Sequence, residues 1–133
     1  MKNINIQNIR IDGGTQSRVK VDEPTIADYA QVLRDGGELP AVVVFFDGAE
    51  YWLADGFHRL HAYRADDRAS IPADVRTGTQ RDAILYSFGA NGAHGLRRTN
   101  EDKRKAVSAM LADAEWSALS DREIARYCAV THP

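Results

Sequence analysis

Ile4 and Ile6 alternate with polar neighbours in the opening stretch "INIQNIRI". That spacing predicts a strand with one buried face, ended by the turn "DGG". After the extended polar stretch "TQSRVKVDEP" the period changes. Ile26, Tyr29, Ala30 and Leu33 recur at helical spacing behind Asp22 as a cap and Pro24 in the first turn, until Gly36 and Gly37 stop the helix. "AVVVFF" and "AEYWLAD" flank Asp47-Gly48, which predicts a hairpin closed by a type I′ turn because Asp-Gly reaches positive φ easily. The second strand runs straight into Gly56. A helix from about Phe57 buries Leu60, Ala62 and Tyr63 and breaks at "ADDRAS"; "SIPADVRTG" then returns as a strand that Pro72 would place near a sheet edge.

From Thr79 onward the pattern is mainly helical. Ile84, Leu85 and Phe88 mark one apolar stripe, which "FGANGAHG" interrupts with three glycines. Thr99-Asn-Glu-Asp102 is a capping box opening a helix whose Ala106, Val107, Met110 and Leu111 face inward, and "EWSAL" extends or follows it. Ser120-Asp-Arg-Glu123 is a second box, ahead of Ile124, Ala125 and Cys128. The succession predicts an α+β fold: a small mixed sheet with helices over residues 1–78, then an all-helical segment over 79–133.

Size fits that picture, since 133 residues with 44% hydrophobic content support one compact core with a short appendage. The longest apolar run, "LPAVVVFF", is far too short to span a membrane, and the first residues lack the features of a signal peptide. A soluble, cytoplasmic protein is expected. The single cysteine, Cys128, excludes an internal disulfide and a cysteine-built metal cage. A net charge of −2 does not advertise nucleic-acid binding over the whole surface, but "HGLRRTNEDKRK", residues 94–105, is a local basic cluster.

The junction "YWLADGFHRLHAYR" carries the first candidate chemistry. A strand that turns through glycine into a helix aims backbone N–H groups and the positive end of the helix dipole at one point, which suits a phosphate. Arg59 adds a fixed cation, and His58 is the better phosphate donor of the two histidines, His61 being a packing or surface residue. Gly56 serves equally well as a plain turn glycine, with His58 and Arg59 as solvated helix residues; the second basic segment, with glycines at 92 and 95 around His94, turns the balance toward phosphate. Asp55 fits a helix cap, and it also has the chemistry of a general base or a Mg²⁺ ligand. His58 and His61 lack a third ligand nearby, so no metal site is expected.

Gln16 and Arg18 in a QxR segment, Leu39-Pro40 before the hairpin, "DGFHRLHA" and "ANGAHGLRR" occur in the order that resembles the ParB/sulfiredoxin superfamily, over residues 4–106. The resemblance implies a nucleotide-binding domain, with CTP or ATP/ADP and Mg²⁺ as ligands. It implies a first phosphate site at Gly56, Phe57, His58 and Arg59, a second at Asn91, His94, Arg97 and Arg98, and Gln16 and Arg18 near the terminal phosphate. Partition proteins of this kind usually carry an acidic residue, and sulfiredoxins their reactive cysteine, where this chain has Phe57. Phe57 can neither attack a sulfur centre nor accept a proton, so sulfiredoxin chemistry is not expected.

The end of the chain, "LSDREIARYCAVTHP", looks like the first helix and turn of a helix-turn-helix, although Ala129 stands where the turn commonly has glycine. The resemblance then implies a recognition helix beginning where this sequence stops. Two functions follow as expectations. The first is the nucleotide-controlled domain of a homodimeric DNA-binding regulator or partition-type protein, closing as a clamp or switch. The second is an enzyme on the same phosphate site, a kinase, nucleotide hydrolase or nuclease, with Asp55 as its carboxylate.

Overall fold

The computed structural model describes residues 2–15, 22–89 and 100–128. The alternating opening stretch does not form one strand. It is divided into β1 (Lys2–Asn5), a 3-10 turn at Ile6–Asn8 and β2 (Ile9–Arg10), and the Asn5 side chain caps the turn by accepting the Gln7 N–H at 2.9 Å. Then come α1 (Glu23–Arg34), β3 (Val42–Phe46), β4 (Tyr51–Asp55), α2 (Phe57–Ala65) and β5 (Ser70–Thr77). The remaining elements are α3 (Gln80–Gly89), α4 (Asn100–Ala112), a 3-10 turn at Trp116–Ala118 and α5 (Asp121–Cys128). None of these helices is long and apolar enough to cross a membrane.

The strands form one mixed sheet in the order β1-β5-β3-β4-β2. β1 pairs antiparallel with β5, β5 parallel with β3, β3 antiparallel with β4, and β4 parallel with β2. The two edges of the sheet are thus successive pieces of one segment. In a flat sheet, four interstrand spacings would separate those edges by about 19 Å. The chain from Asn5 to Ile9 reaches at most about 14 Å when fully extended. The sheet must therefore curl, and it encloses a core of Ile4, Ile6, Ile9, Val42, Val44, Leu53 and Ile71 under Ala30 and Leu33 of α1 and Leu60 of α2.

Residues of the opposite parity, Val43, Trp52 and Ala54, turn outward and meet Ala83 and Tyr86 of α3. Strands covered on both faces read as continuous apolar runs, which is why "AVVVFF" shows little alternation. The other side of α3, Phe88 with Ile84 and Leu85, packs against Ala106, Met110, Trp116, Ile124 and Cys128. This one helix belongs to both the sheet and the C-terminal helical cluster.

Three local expectations are corrected. Pro72 is not on an edge strand: β5 lies between β1 and β3, and the position is tolerated because register with β3 begins only at Ala73. The hairpin turn is not type I′, since Gly48 has φ +100° while Asp67 is the only non-glycine residue of positive φ among the described residues. Asp47 organises the loop instead, its carboxylate accepting the N–H groups of Ala49 and Glu50 and the Trp52 indole at 2.7–2.9 Å. Leu111 is 55% exposed, because the buried stripe of α4 is the narrow row Asp102, Ala106 and Met110 at spacing four.

The helix ends follow the sequence more closely. The Asp22 side chain accepts the Thr25 N–H at the start of α1, and in the second box the Ser120 hydroxyl oxygen accepts the Glu123 N–H as expected, while the Glu123 carboxylate accepts from the Ser120 hydroxyl. Thr99 of the first box lies outside the described residues. At the end of α2, Asp67 adopts φ +54° so that its N–H reaches the Arg64 carbonyl and the Arg68 N–H reaches that of Tyr63, a Schellman closure.

Gly89 is a point of close approach: a Cβ there would lie 2.5 Å from the Tyr127 carbonyl oxygen of α5. Gly89→Ala is therefore expected to destabilise the chain by about 1–3 kcal/mol, since backbone cannot move aside as a side chain can, and urea unfolding measures the loss. Asp113 makes a second tie. It accepts the Trp116 and Glu115 N–H groups and pairs with Arg81 of α3 at 3.0 Å, and Arg81 in turn lies 4.4 Å over the Trp116 ring. The Arg81 guanidinium first, then those N–H groups, hold the Asp113 carboxyl down at about 2. A folded-state value below the unfolded one gives stability that is full above about pH 4 and fades as pH falls toward 2. The Asp113→Asn variant is expected to show a flatter stability profile than the native chain over that window, measured by thermal unfolding at stepped pH.

Candidate functional site

The β4–α2 junction is shaped by one glycine. Gly56 takes φ +106° and ψ 31° as the residue capping α2, and no side chain caps the helix there. Two independent facts require glycine. The left-handed conformation disfavours a Cβ, and a Cβ would lie 2.5 Å from Val42 Cγ1 and 3.3 Å from Arg59 Cζ. Just before it, Asp55 faces Val43 while Leu53 faces Val44, so Ala54 is an extra residue that bends β4 into the turn. The first backbone bond of α2 runs from the Leu60 N–H to the Gly56 carbonyl. The N–H groups of Phe57, His58 and Arg59 thus have no acceptor within the helix and lie at its positive end.

The side chains are less free than their sequence suggests. Arg59 is 12% exposed and spends its guanidinium on the chain: Nη1 donates to the Pro40 and Ala41 carbonyls at 3.0 and 2.7 Å, and Nη2 to Asp55 Oδ2 at 3.1 Å. It fastens α2 to the Leu39-Pro40 run that leads into β3. Asp55 is not the cap of α2. It ends β4, 6% exposed, as the counter-ion of Arg59, and its Oδ1 is buried with no hydrogen-bond partner among the described residues. Any role as a base or Mg²⁺ ligand would draw on that one oxygen. Phe57 is buried in the core beneath the junction.

His58 is 7% exposed, and its Nε2 accepts the backbone N–H of Asp22 at 3.0 Å. An imidazole nitrogen that accepts is unprotonated, so the ring proton of neutral His58 sits on Nδ1. His61, half-buried on the same helix, titrates below its ordinary range because burial disfavours its charge and Arg64 adds to that, with Glu23 opposing. Among the described residues no group of three or more His, Cys, Asp or Glu side chains is placed to hold a metal ion.

Of the residues expected from sequence, Asp55, Gly56, Phe57, His58 and Arg59 are brought together here. Gln16, Arg18, Asn91, His94, Arg97 and Arg98 lie outside the described residues. Both flanks of the 16–21 segment are nonetheless fastened to this junction. Thr15, 2% exposed, donates its hydroxyl to the Leu53 carbonyl of β4, and the Asp22 N–H reaches His58 of α2. Neither Thr15 nor the Asp22 backbone stood out in the sequence. The only signal was position, since each borders the QxR segment.

Residues 1–92 match the model of the ParB N-terminal domain. The chain is 35% identical over 102 residues to the transcriptional regulator NovG of Streptomyces niveus. It is 30% identical over 83 residues to a possible regulatory protein of the streptomycin biosynthesis operon of Streptomyces griseus. These alignments cover 74% and 62% of the chain but only 30% and 23% of the two relatives, so it spans less than a third of either. Among solved structures, the truncated chromosome-partitioning protein ParB of Caulobacter crescentus with the centromeric parS site superposes with a TM-score of 0.67, at 14% identity, over 98% of this chain and 66% of that one. The same protein with CTP-gamma-S gives 0.59 at 14% identity, over 98% and 71%. Sulfiredoxin of Arabidopsis thaliana gives 0.53 at 20% identity, over 61% and 89%. At these identities the likeness is one of fold.

The pair at the junction is open to a direct test. Arg59→Ala leaves the Asp55 carboxylate buried without its cation and should cost about 3–5 kcal/mol. The double variant Asp55→Ala/Arg59→Ala should cost less than the sum of the two single variants, and a urea-denaturation cycle measures that coupling.

Proposed function

The chain belongs to the ParB N-terminal domain family, and on that premise we propose that it is the nucleotide-binding domain of a DNA-binding regulator. The observation that carries this reading is the left-handed turn at Gly56, which leaves the Phe57, His58 and Arg59 N–H groups without helical acceptors at the positive end of α2. Since Arg59 and Asp55 neutralise each other, the backbone supplies the first phosphate contact and the arginines at 97 and 98 supply the balancing positive charge. CTP is the favoured nucleotide, in keeping with the CTP-gamma-S complex of the partition protein, and an adenine nucleotide with Mg²⁺ is the alternative. Residues 1–78 form the nucleotide-binding unit and residues 79–133 the helical arm.

In this reading the arm carries the second phosphate segment and leads toward a DNA-binding motif, as the parS complex of the partition protein suggests. α3 is the natural transmitter. It packs on the sheet through Ala83 and Tyr86 and on α4 and α5 through Phe88, so nucleotide held between the junction and residues 91–98 would bias how the arm is held. A homodimer that closes on nucleotide and grips DNA is the corresponding assembly, and the regulators of Streptomyces point to transcription as its setting.

Isothermal titration with CTP, ATP, ADP and GTP in the presence of Mg²⁺ tests the proposal. One nucleotide is expected to bind saturably, and Arg97→Ala/Arg98→Ala to bind it at least about tenfold more weakly, as the loss of charge-assisted hydrogen bonds implies. No binding at millimolar nucleotide, or full affinity in the double variant, would overturn it. Arg59→Ala does not serve here, because that side chain holds the junction together.

A further inference from the structure

We infer that His58 acts as a positioning residue, a neutral hydrogen-bond acceptor that fixes Asp22 and the start of α1 against the N-terminal end of α2, rather than as a cationic phosphate donor. The inference rests on the nucleotide reading above for its functional side and on the geometry for the rest. The Asp22 N–H donates to His58 Nε2 at 3.0 Å, inside a site where the imidazole is only 7% exposed. Asp22 also accepts the Thr25 N–H, so the same residue starts α1 and closes the preceding segment. The other end of that segment is held by Thr15, whose hydroxyl reaches the Leu53 carbonyl two residues before Asp55. One tie to β4 and one to α2 thus fall on either side of Gly56.

The chemistry of that bond decides its response to pH. An imidazole with Nε2 facing an N–H accepts only while it is neutral; protonation would set a donor against a donor and break the tie. A phosphate donor behaves oppositely, since its contact strengthens when the ring becomes cationic. Glu23 of α1 and its capping residue Asp22 lie on the α1 side, Asp55 at the end of β4 pairs with Arg59, and α2 itself carries Arg59, His61 and Arg64. The charge on His61 is disfavoured by burial and by Arg64.

Two measurements on the full chain test the inference. Nitrogen NMR of the imidazole rings in the unliganded protein is expected to show His58 Nε2 unprotonated and Nδ1 protonated at neutral pH; the reverse tautomer would overturn the inference, and this result does not depend on nucleotide binding. CTP affinity is then followed from pH 7.5 to 5.5 for the native chain, His58→Gln and His61→Gln. The glutamine at 58 keeps an acceptor that does not titrate, and subtracting its profile removes the protonation of the nucleotide itself. Relative to His58→Gln, the native chain is expected to lose about three- to tenfold in affinity on acidification, with His61→Gln behaving as native. A gain in affinity, or no difference from His58→Gln, would overturn the inference. If CTP fails to bind at all, the nucleotide reading falls while the tautomer still reports on His58.

Discussion

The turn at Gly56 and the guanidinium that closes it are what the rest of the site depends on. Glycine is required there by both backbone conformation and contact with Val42, and the turn it permits sends α2 back across the sheet. Arg59 then holds that geometry by donating to the Pro40 and Ala41 carbonyls and to Asp55. The run before β3, the end of β4 and the first turn of α2 are thereby fixed around the N-terminal end of that helix. A lysine could not reproduce this, because its single ammonium lacks the planar fork that reaches both carbonyls and the carboxylate.

Closure of the sheet is the second constraint. Because β1 and β2 are consecutive pieces of one segment and occupy opposite edges, curling is enforced by chain length, and the enclosed core comes from strand residues of a single parity. The other parity is not left to solvent but is covered by α3, which also serves as one wall of the C-terminal helical cluster. A shift of α4 and α5 against the sheet must therefore pass through α3, where Gly89 touches the Tyr127 carbonyl and Arg81 binds Asp113.

Family membership and fold agree, and the fold is shared by a partition protein and a sulfiredoxin. Function has to be argued from the site. At this site the notable departure from expectation is the employment of the charged side chains. His58, Arg59 and Asp55 look like ligand-binding groups in the sequence, yet Arg59 and Asp55 bind each other and His58 accepts a backbone N–H. What remains presented to a ligand from the described part of the junction is backbone.

Periodicity, capping residues and turn glycines in the sequence determined most of the elements by themselves: α1 from Asp22 to Gly36, the β3–β4 hairpin, the break after β4, and the second capping box. These are local effects, decided by a side chain and the backbone within four residues of it. The tertiary structure alone decided the division of "INIQNIRI" between two sheet edges, the interior place of β5 despite Pro72, and the exposure of Leu111, because each depends on what a distant element covers. The same holds for the site. Gly56 was legible because positive φ is a local demand, whereas the Ala41 carbonyl on Arg59 and the partners of His58 and Thr15 lie 18, 36 and 38 residues away along the chain. No local pattern records a partner brought by the fold, so sequence revealed which groups were present and the packed structure decided which were already spoken for.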